Sequence, residues 1–374
     1  MTAIAHTAAV RIDVVDPAAY TPPYDHALCA ALARAGADVR LQTSRFAYGD
    51  VPEPEGYTRV ERFHRLEVGA PGGRVRTATR AAQHPVDMLR YRRAARAAEV
   101  VHFQWLAWQH VDRHLLPDRP RVLTAHDVLP REPKPGQVAA QRRLYERMDH
   151  VIVHSAHGRG RLIDEVGVPA DRVTVIPHGV LDALTRVPAV APPELADVDP
   201  QVPVVLCFGL LRPYKGIDVL LRAWAGIAGA ELWIVGMPRM DVAPLRAAAP
   251  PGVRWVTRFV SDAEAAACFA RASLVVLPYR EIDQSGVLYT ALGFGAPMVL
   301  TDVGGFGEVA EQGAAALVPP DDPGALHAEL ARLLGDSAAR DALAAGARAA
   351  AAGPYAWDPI ARATLGVYRR VERS

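Results

Sequence analysis

Residues 202–224 read VPVVLCFGLLRPYKGIDVLLRAW, and this stretch decides the fold. An apolar run rich in valine ends near Phe208, a turn carries Arg212 and Lys215, and apolar residues then recur at helical spacing. A short continuous apolar run is a buried strand, and spacings of three and four are the mark of an amphipathic helix. A strand that passes through a tight turn into a helix is the building unit of parallel, doubly wound sheets. Pro213 and Gly216 shape the turn, which sets two cations beside the helix start at Gly216. There the free N–H groups, the helix dipole and the charges all favour an anion. Arginine grips phosphate oxygens at two points, and lysine adds a point charge.

The same alternation runs outward in both directions. Strand patterns at 10–15, 37–43, 100–105, 121–126, 150–155 and 172–177 come before it. Others follow at 230–236, 253–259, 273–279, 297–301 and 315–319, with amphipathic stretches such as HALCAALARAG and ALHAELARLLG between strands. The pattern breaks once, at VPAVAPPELADVDPQVP (187–203), where five prolines and no period read as a linker. The expected organisation is a first domain over 1–190 and a second over 200–354. An amphipathic helix at 355–374 is expected to pack back on the first. Ligands of such sheets bind beyond the carboxyl ends of the strands, so the residues just after each strand are the candidates.

Two more loops of the second half fit that rule. PYREIDQSGVLYTAL (278–292) leaves an apolar strand through a polar turn and enters a helix at Ser285. Ser285 and Gly286 fall in the first turn, where N–H groups have no intrahelical partner, and Gly286 leaves that backbone open. Ser285 by itself reads equally as a plain N-cap. TDVGGFGEVAEQG (301–313) is a glycine turn between strand and helix, without the G-x-G-x-x-G spacing of a dinucleotide fingerprint. Neither half opens with such a fingerprint after its first strand, so a dehydrogenase is disfavoured.

The 374 residues suit two domains, half of them are hydrophobic, and the net charge is +1. No run approaches the ~18 apolar residues of a membrane span. The N-terminal MTAIAHTAAVRIDVVD does not read as a signal peptide. Cys29, Cys207 and Cys268 lie far apart in apolar patterns, as small buried hydrophobes of a reducing cytosol. Between Arg59 and Arg96 there are ten arginines against Glu61, Glu67 and Asp87. That run reads either as a solvated helix face or as a basic patch for an anionic membrane surface or a phosphate-bearing acceptor. With few interleaved aromatics, it does not read as a nucleic-acid site. The expected location is cytoplasmic, with peripheral contact at the inner face of the membrane open. His110 with His114, and His154 with His157, have spacings that could share a helix face, but no H-E-x-x-H accompanies them and they read as structural.

The ordered motifs VIPHGV (175–180), FGLLRPYKGIDVLLRAW, ASLVVLPY, ALGFGAPMVLTDVGGFGEV and ALVPPDDPGAL resemble glycosyltransferase family 4, the glycosyl transferases of group 1. The resemblance covers most of 173–330 and is looser in the first half, through HALCAALARAGADV and TAHDV. It implies an α/β GT-B fold, two doubly wound Rossmann-like domains facing each other across a cleft. It also implies a retaining, metal-independent, hexosyltransferase-like glycosyltransferase. The enzyme would move a sugar from a UDP-, GDP- or dTDP-sugar, a co-substrate and not a tightly bound cofactor. The acceptor would be a hydroxyl of a glycan intermediate or a secondary metabolite.

By the same resemblance, Arg212 and Lys215 hold the donor diphosphate beside Gly209, and Gln284, Ser285, Gly286 and Val287 hold its phosphate and sugar. His126 of TAHD lies beside the transferring sugar. The family's two glutamates, eight positions apart, fall here on Ile282 and Thr290. Glu281 or Asp283 takes the first role by a one-residue shift, and Thr290 offers the ribose one hydroxyl. The loop DPAAYTPPYDH lacks the family's paired glycines, and its Tyr24, Asp25 and His26 either touch the acceptor or only stiffen the turn. The only D-x-D, Asp197–Asp199, falls in the linker and reads as loop chemistry, not as a metal clamp. Competing readings are a GT-B phosphorylase or sugar epimerase, and a non-catalytic nucleotide-sugar-binding homologue motivated by the missing glutamates.

Overall fold

The computed structural model describes residues 9–70, 72–106 and 108–373. The chain divides into two compact units, residues 1–179 with 357–374, and residues 180–356. Both are parallel sheets covered by helices.

The first unit holds seven strands: β1 (Arg11–Asp16), β2 (Asp38–Ser44), β3 (Thr58–Phe63), β4 (Val100–Phe103), β5 (Arg121–Thr124), β6 (His150–Val153) and β7 (Val173–Val175). Their order is β3-β2-β1-β4-β5-β6-β7, all parallel. Central strands such as β4 and β6 are buried along their whole length, as strands covered by helices on both faces must be. Phe63, Met88, Tyr91, Phe103, Leu123, Leu144 and Val151 share one core, and each such side chain contributes about 1.5–3 kcal/mol by leaving water. The last helix, Trp357–Val371, packs on the helix Pro22–Arg34, and Arg34 pairs with Asp358 at 3.0 Å.

β3 escapes the sequence pattern. TRVERF carries three charges in six residues, and only Phe63 is buried. An edge strand has one neighbour and needs no apolar run, and charge on it guards against further pairing.

The second unit holds β8 (Val204–Phe208), β9 (Glu231–Val235), β10 (Val253–Val256), β11 (Leu274–Leu277), β12 (Met298–Thr301) and β13 (Ala315–Val318). Their order is β10-β9-β8-β11-β12-β13, again parallel. The helix Ile217–Trp224 buries Leu220 and Trp224 against Ile234, Val276 and Leu330.

The chain passes from one unit to the other at Gly179–Val180, ahead of the proline-rich stretch. Residues 187–203 instead cover the second unit, where Glu194 pairs with Arg258 at 2.8 Å and Asp197 with Arg254 at 2.8 Å. Prolines there stiffen an ordered covering segment. In each sheet the strand order reverses once, between β1 and β4 and between β8 and β11. These switch points are where doubly wound sheets open a crevice for ligands.

Candidate active site

In the second unit, the loops leaving β8 and β11 flank the switch point. Gly209 leaves β8 with φ 110°, and a Cβ on it would lie 3.1 Å from a methyl of Val287 and 3.2 Å from the Lys215 ammonium. The space beside Gly209 is thus filled by Lys215 itself. Arg212 is half-buried, one turn of 3-10 helix spans Pro213–Lys215, and Gly216 is left-handed at φ 64°. A Cβ on Gly216 would meet the Pro278 carbonyl oxygen at 2.0 Å, so only glycine lets the two loops touch. Lys215 is buried, donates to the Tyr279 hydroxyl at 2.5 Å and sits 4.3 Å from that ring's centroid.

Arg280 fastens the two loops together. It donates to the Pro213 carbonyl at 2.9 Å, to Asp218 at 2.7 Å and to Asp321 at 2.7 Å. The guanidinium holds the Asp218 carboxyl below its ordinary range. Sequence reading counted Arg280 only as part of a polar turn. Its place after a strand, level with the cationic turn, is the signal that could have found it.

The loop 278–285 resolves the glutamate question into positions. Ile282 is buried, and a Cβ on Gly304 would lie 1.8 Å from its carbonyl oxygen. The glycine turn after β12 is thus cut to fit this loop. Asp283 is buried at 5% exposure, whereas Glu281 faces solvent. Ser285 stands at the N-cap of the helix Gly286–Gly293 with extended backbone, yet its side chain makes no capping bond. Gln284 accepts from the Tyr289 hydroxyl at 2.5 Å, which orients its amide. The Thr290 hydroxyl donates to the Gly286 carbonyl at 2.9 Å and keeps its lone pairs as acceptors.

In the first unit, histidines gather beyond the ends of β5, β6 and β7. His154 Nδ1 donates to the Ile176 carbonyl at 3.0 Å, because a carbonyl can only accept. His154 Nε2 therefore faces His126 Nδ1, 3.2 Å away, with its lone pair. His126 Nε2 in turn lies 3.1 Å from the Gln104 side-chain oxygen, so the two neighbours compete for the one ring proton of neutral His126. His126 stacks on Trp105 at 4.9 Å and 9°, and His178 lies 5.1 Å from His154. Burial, foremost, and mutual repulsion push His126 and His178 well below the ordinary histidine value. Burial takes His154 down to about 4 and His102 to about 3. All are neutral near pH 7. His126 was found by sequence, whereas His154, His178 and Gln104 were not. Their signal was a histidine recurring just past three successive strands.

Tyr24 and Asp25 are both buried in this unit. Tyr24 is buried, 4.8 Å from His126 and 4.7 Å from His178. Asp25 is buried against Asp16, and burial and that neighbour raise its carboxyl well above the ordinary range. Asp16 accepts from the N–H groups of Ala18 at 3.2 Å, Tyr20 at 2.5 Å and Thr21 at 3.3 Å. Ala19 takes φ 50° where a glycine would be cheaper. A carboxylate cradle thus shapes the turn that paired glycines shape in the family pattern.

The remaining candidates disperse. Asp199 accepts from the Gln201 amide at 2.8 Å, and Asp197 is paired as described above. His110 and His114 are exposed on the helix Gln109–Leu115, while His154 follows β6 and His157 lies in the first turn of the helix Ala156–Arg161. Among the described residues no set of three or more metal-ligating side chains converges. The arginine run is divided: Arg76 is paired with Glu67, Arg62 with Gln42 and Arg59 with the Pro52 carbonyl. Arg92, Arg93 and Arg96, joined by Arg119 from outside the run, instead rim a cavity of about 530 Å³. No helix among the described residues is long and apolar enough to cross a membrane.

Two parallel, doubly wound units with these strand orders are those of the GT-B enzymes. Residues 24–183 match the model of Glycosyltransferase Family 4, and residues 202–336 match that of Glycosyl transferases group 1. The D-inositol 3-phosphate glycosyltransferase of Xylanimonas cellulosilytica is 30% identical over 290 residues, 72% of this chain and 69% of that protein. The chain spans 73%, 62% and 57% of the length of three further curated relatives with that name. Among solved structures, a sucrose-phosphate synthase from Thermosynechococcus elongatus has a TM-score of 0.74 at 19% identity, covering 97% of this chain and 99% of the other. HepE of Anabaena in complex with UDP and glucose gives 0.70 at 18% identity, covering 96% and 100%. The chain belongs to glycosyltransferase family 4, the glycosyl transferases of group 1, and is a glycosyltransferase.

Proposed function

We propose that this glycosyltransferase moves a sugar from a nucleoside diphosphate sugar to an acceptor hydroxyl with retention of anomeric configuration. The observation that carries this reading is the pair of loops at the β8/β11 switch point: Arg212 and Lys215 on one, and the start of the helix Gly286–Gly293 on the other. As the bond between the sugar and the β-phosphate oxygen breaks, charge grows on the diphosphate. Arg212, Lys215 and the first-turn N–H groups of Ser285, Gly286 and Val287 neutralise it without a metal. Each such donor is worth about 10²–10³ in turnover. The acceptor oxygen bonds to the anomeric carbon on the face the leaving group vacates, and its proton passes to the departing phosphate.

Asp283, buried at the loop, takes the role of the missing first glutamate in preference to exposed Glu281, and Gln284 binds the sugar. Thr290 accepts from a ribose hydroxyl. His126, neutral and held between His154 and Gln104, lies beside the sugar. HepE was solved with UDP and glucose, which favours a UDP-sugar over GDP and dTDP donors. Tyr24 and Asp25 support the acceptor side from beneath, as packing and not as contacts. Arg92, Arg93 and Arg96 at the 530 Å³ cavity, close in sequence to exposed Val86 and Leu89, are the part of the basic run suited to an anionic membrane surface.

A donor panel tests the reading. At least one nucleotide sugar should yield free nucleoside diphosphate with a transferred sugar of retained configuration, and Arg212→Ala and Lys215→Ala should each remove nucleoside-diphosphate binding from a folded protein. Binding without turnover on any donor would favour the non-catalytic homologue, and net release of free sugar phosphate a phosphorylase.

A further inference from the structure

The first unit holds a cavity of about 250 Å³ beyond the ends of β4 and β5, with His126 in its wall. Its polar lining is unusual in kind. Four side-chain amides line it: Gln104, Gln109, Gln137 and Gln141. Gln137 donates to Gln109 at 3.3 Å and accepts from the Lys134 backbone N–H at 3.1 Å, so the two amides on that wall are set in place. Gln141 is 8% exposed, and its side chain makes no hydrogen bond to the protein among the described residues. A buried amide is normally paired, so one that lines a cavity unpaired is a site for a ligand's own polar group. The apolar part is aromatic. Trp105 is fixed by donating from Nε1 to the Thr21 hydroxyl at 3.0 Å, and Tyr20 leans on it at 4.4 Å.

Charge is what the lining lacks. Asp127 is the single charged residue among the described residues that line the cavity, and its carboxylate is paired with Arg131. His126 is neutral near pH 7, since burial holds it well below the ordinary value. A phosphate entering here would meet a carboxylate and neutral amides. It would lose water without the cations that usually replace it. Planar amides, each with donors and acceptors, together with an aromatic wall suit a ring that carries alternating hydroxyls on an apolar frame.

We propose that this cavity binds the acceptor and that the acceptor is an uncharged polyol ring, a cyclitol or sugar without a phosphate. The inference rests on the transferase reading above and departs from the phosphorylated acceptor in the relatives' name. Gln141 and Gln109 bond the ring hydroxyls, Trp105 packs against its C–H face, and the attacking hydroxyl points toward His126.

The test uses the wild-type protein and matched probes: myo-inositol, glucose and mannose, each against its own monophosphate, read by saturation-transfer NMR and by transfer from the productive donor. At least one neutral probe should bind and accept sugar at least about ten-fold better than its phosphate. Gln141→Ala should raise the KM of that probe about ten-fold, and Gln109→Lys should move preference toward the phosphate. Preference for a phosphate over its neutral partner, or no neutral probe binding, overturns the proposal. Nucleoside-diphosphate binding, measured separately in the second unit, distinguishes the failures. If it holds while a phosphate wins, only the acceptor proposal falls, and if it is absent, the transferase reading falls as well.

Discussion

At the residue scale, a side chain's depth decides what its sequence position left open. Arg212, Lys215 and the helix start at Ser285 were legible because strand, turn and helix patterns set them at one sheet edge. Glu281 and Asp283 were not separable in sequence, since both carry a carboxylate one position from the expected acid. The fold parts them, with Asp283 buried and Glu281 in solvent. Asp283→Asn should therefore lower kcat by about 10² or more with KM for donor little changed, while Glu281→Gln stays within a few-fold. Steady-state kinetics on the productive donor checks this, and equal losses in both variants would refute the assignment. Lys215 adds a case of fit. With the ammonium 3.2 Å from a Cβ built on Gly209 and 2.5 Å from the Tyr279 hydroxyl, the bulkier guanidinium of Lys215→Arg has no space there. That variant should bind nucleoside diphosphate no better than Lys215→Ala in calorimetric titration. Asp25 shows the limit of sequence in the other direction. A carboxylate in a polar loop reads as exposed, and nothing local announces the buried partner, Asp16, that makes it internal.

At the element scale, the twelve apolar strands were readable and the thirteenth, β3, was not, because an edge needs no apolar run to hold it. The same logic explains the proline-rich stretch 187–203. Loss of period marks irregular structure, but whether it joins units or covers one depends on partners such as Arg254 and Arg258, which lie far along the chain. What shapes the site at this scale is contact between loops. Gly216 presses on Pro278, and Gly304 on Ile282, at separations that exclude any side chain. Gly216→Ala and Gly304→Ala should each destabilise the second unit by at least about 2 kcal/mol, seen as a lower midpoint in urea. Nucleoside-diphosphate affinity should fall with it. Arg280→Ala removes the fastening without a clash. It should weaken nucleotide binding while moving the unfolding midpoint less than either glycine variant does, since the bonds lost are half-exposed.

At the scale of the whole molecule, each unit carries a different kind of electrostatic site: cations beside a helix start in the second, and neutral histidines under aromatic cover in the first. The first has a definite acid limit, and its sign follows from His154. Unfolded, its imidazole takes a proton near 6.5, whereas in the fold burial holds it at about 4. Above pH 6.5 both states are neutral and the group has no effect on stability. Between 6.5 and about 4 the unfolded chain binds the extra proton, so stability falls as pH falls, by on the order of 3 kcal/mol in total. Buried Asp13, Asp16 and Asp25 act with opposite sign, because their raised values let the folded state hold protons first. Comparing wild type with His154→Asn removes that background, since the carboxyls are common to both. The stability advantage of wild type over the variant, measured by urea unfolding, should be greatest at pH 7–8 and shrink steadily toward pH 4. His154 presents its lone pair to His126 Nδ1, whereas the Gln104 oxygen faces Nε2, so the variant should move the His126 proton toward Nε2. In ¹⁵N-histidine spectra, the Nδ1–H share of His126 should be larger in wild type than in the variant. A gap in stability independent of pH, with an unchanged tautomer, would show that His154 only fills space.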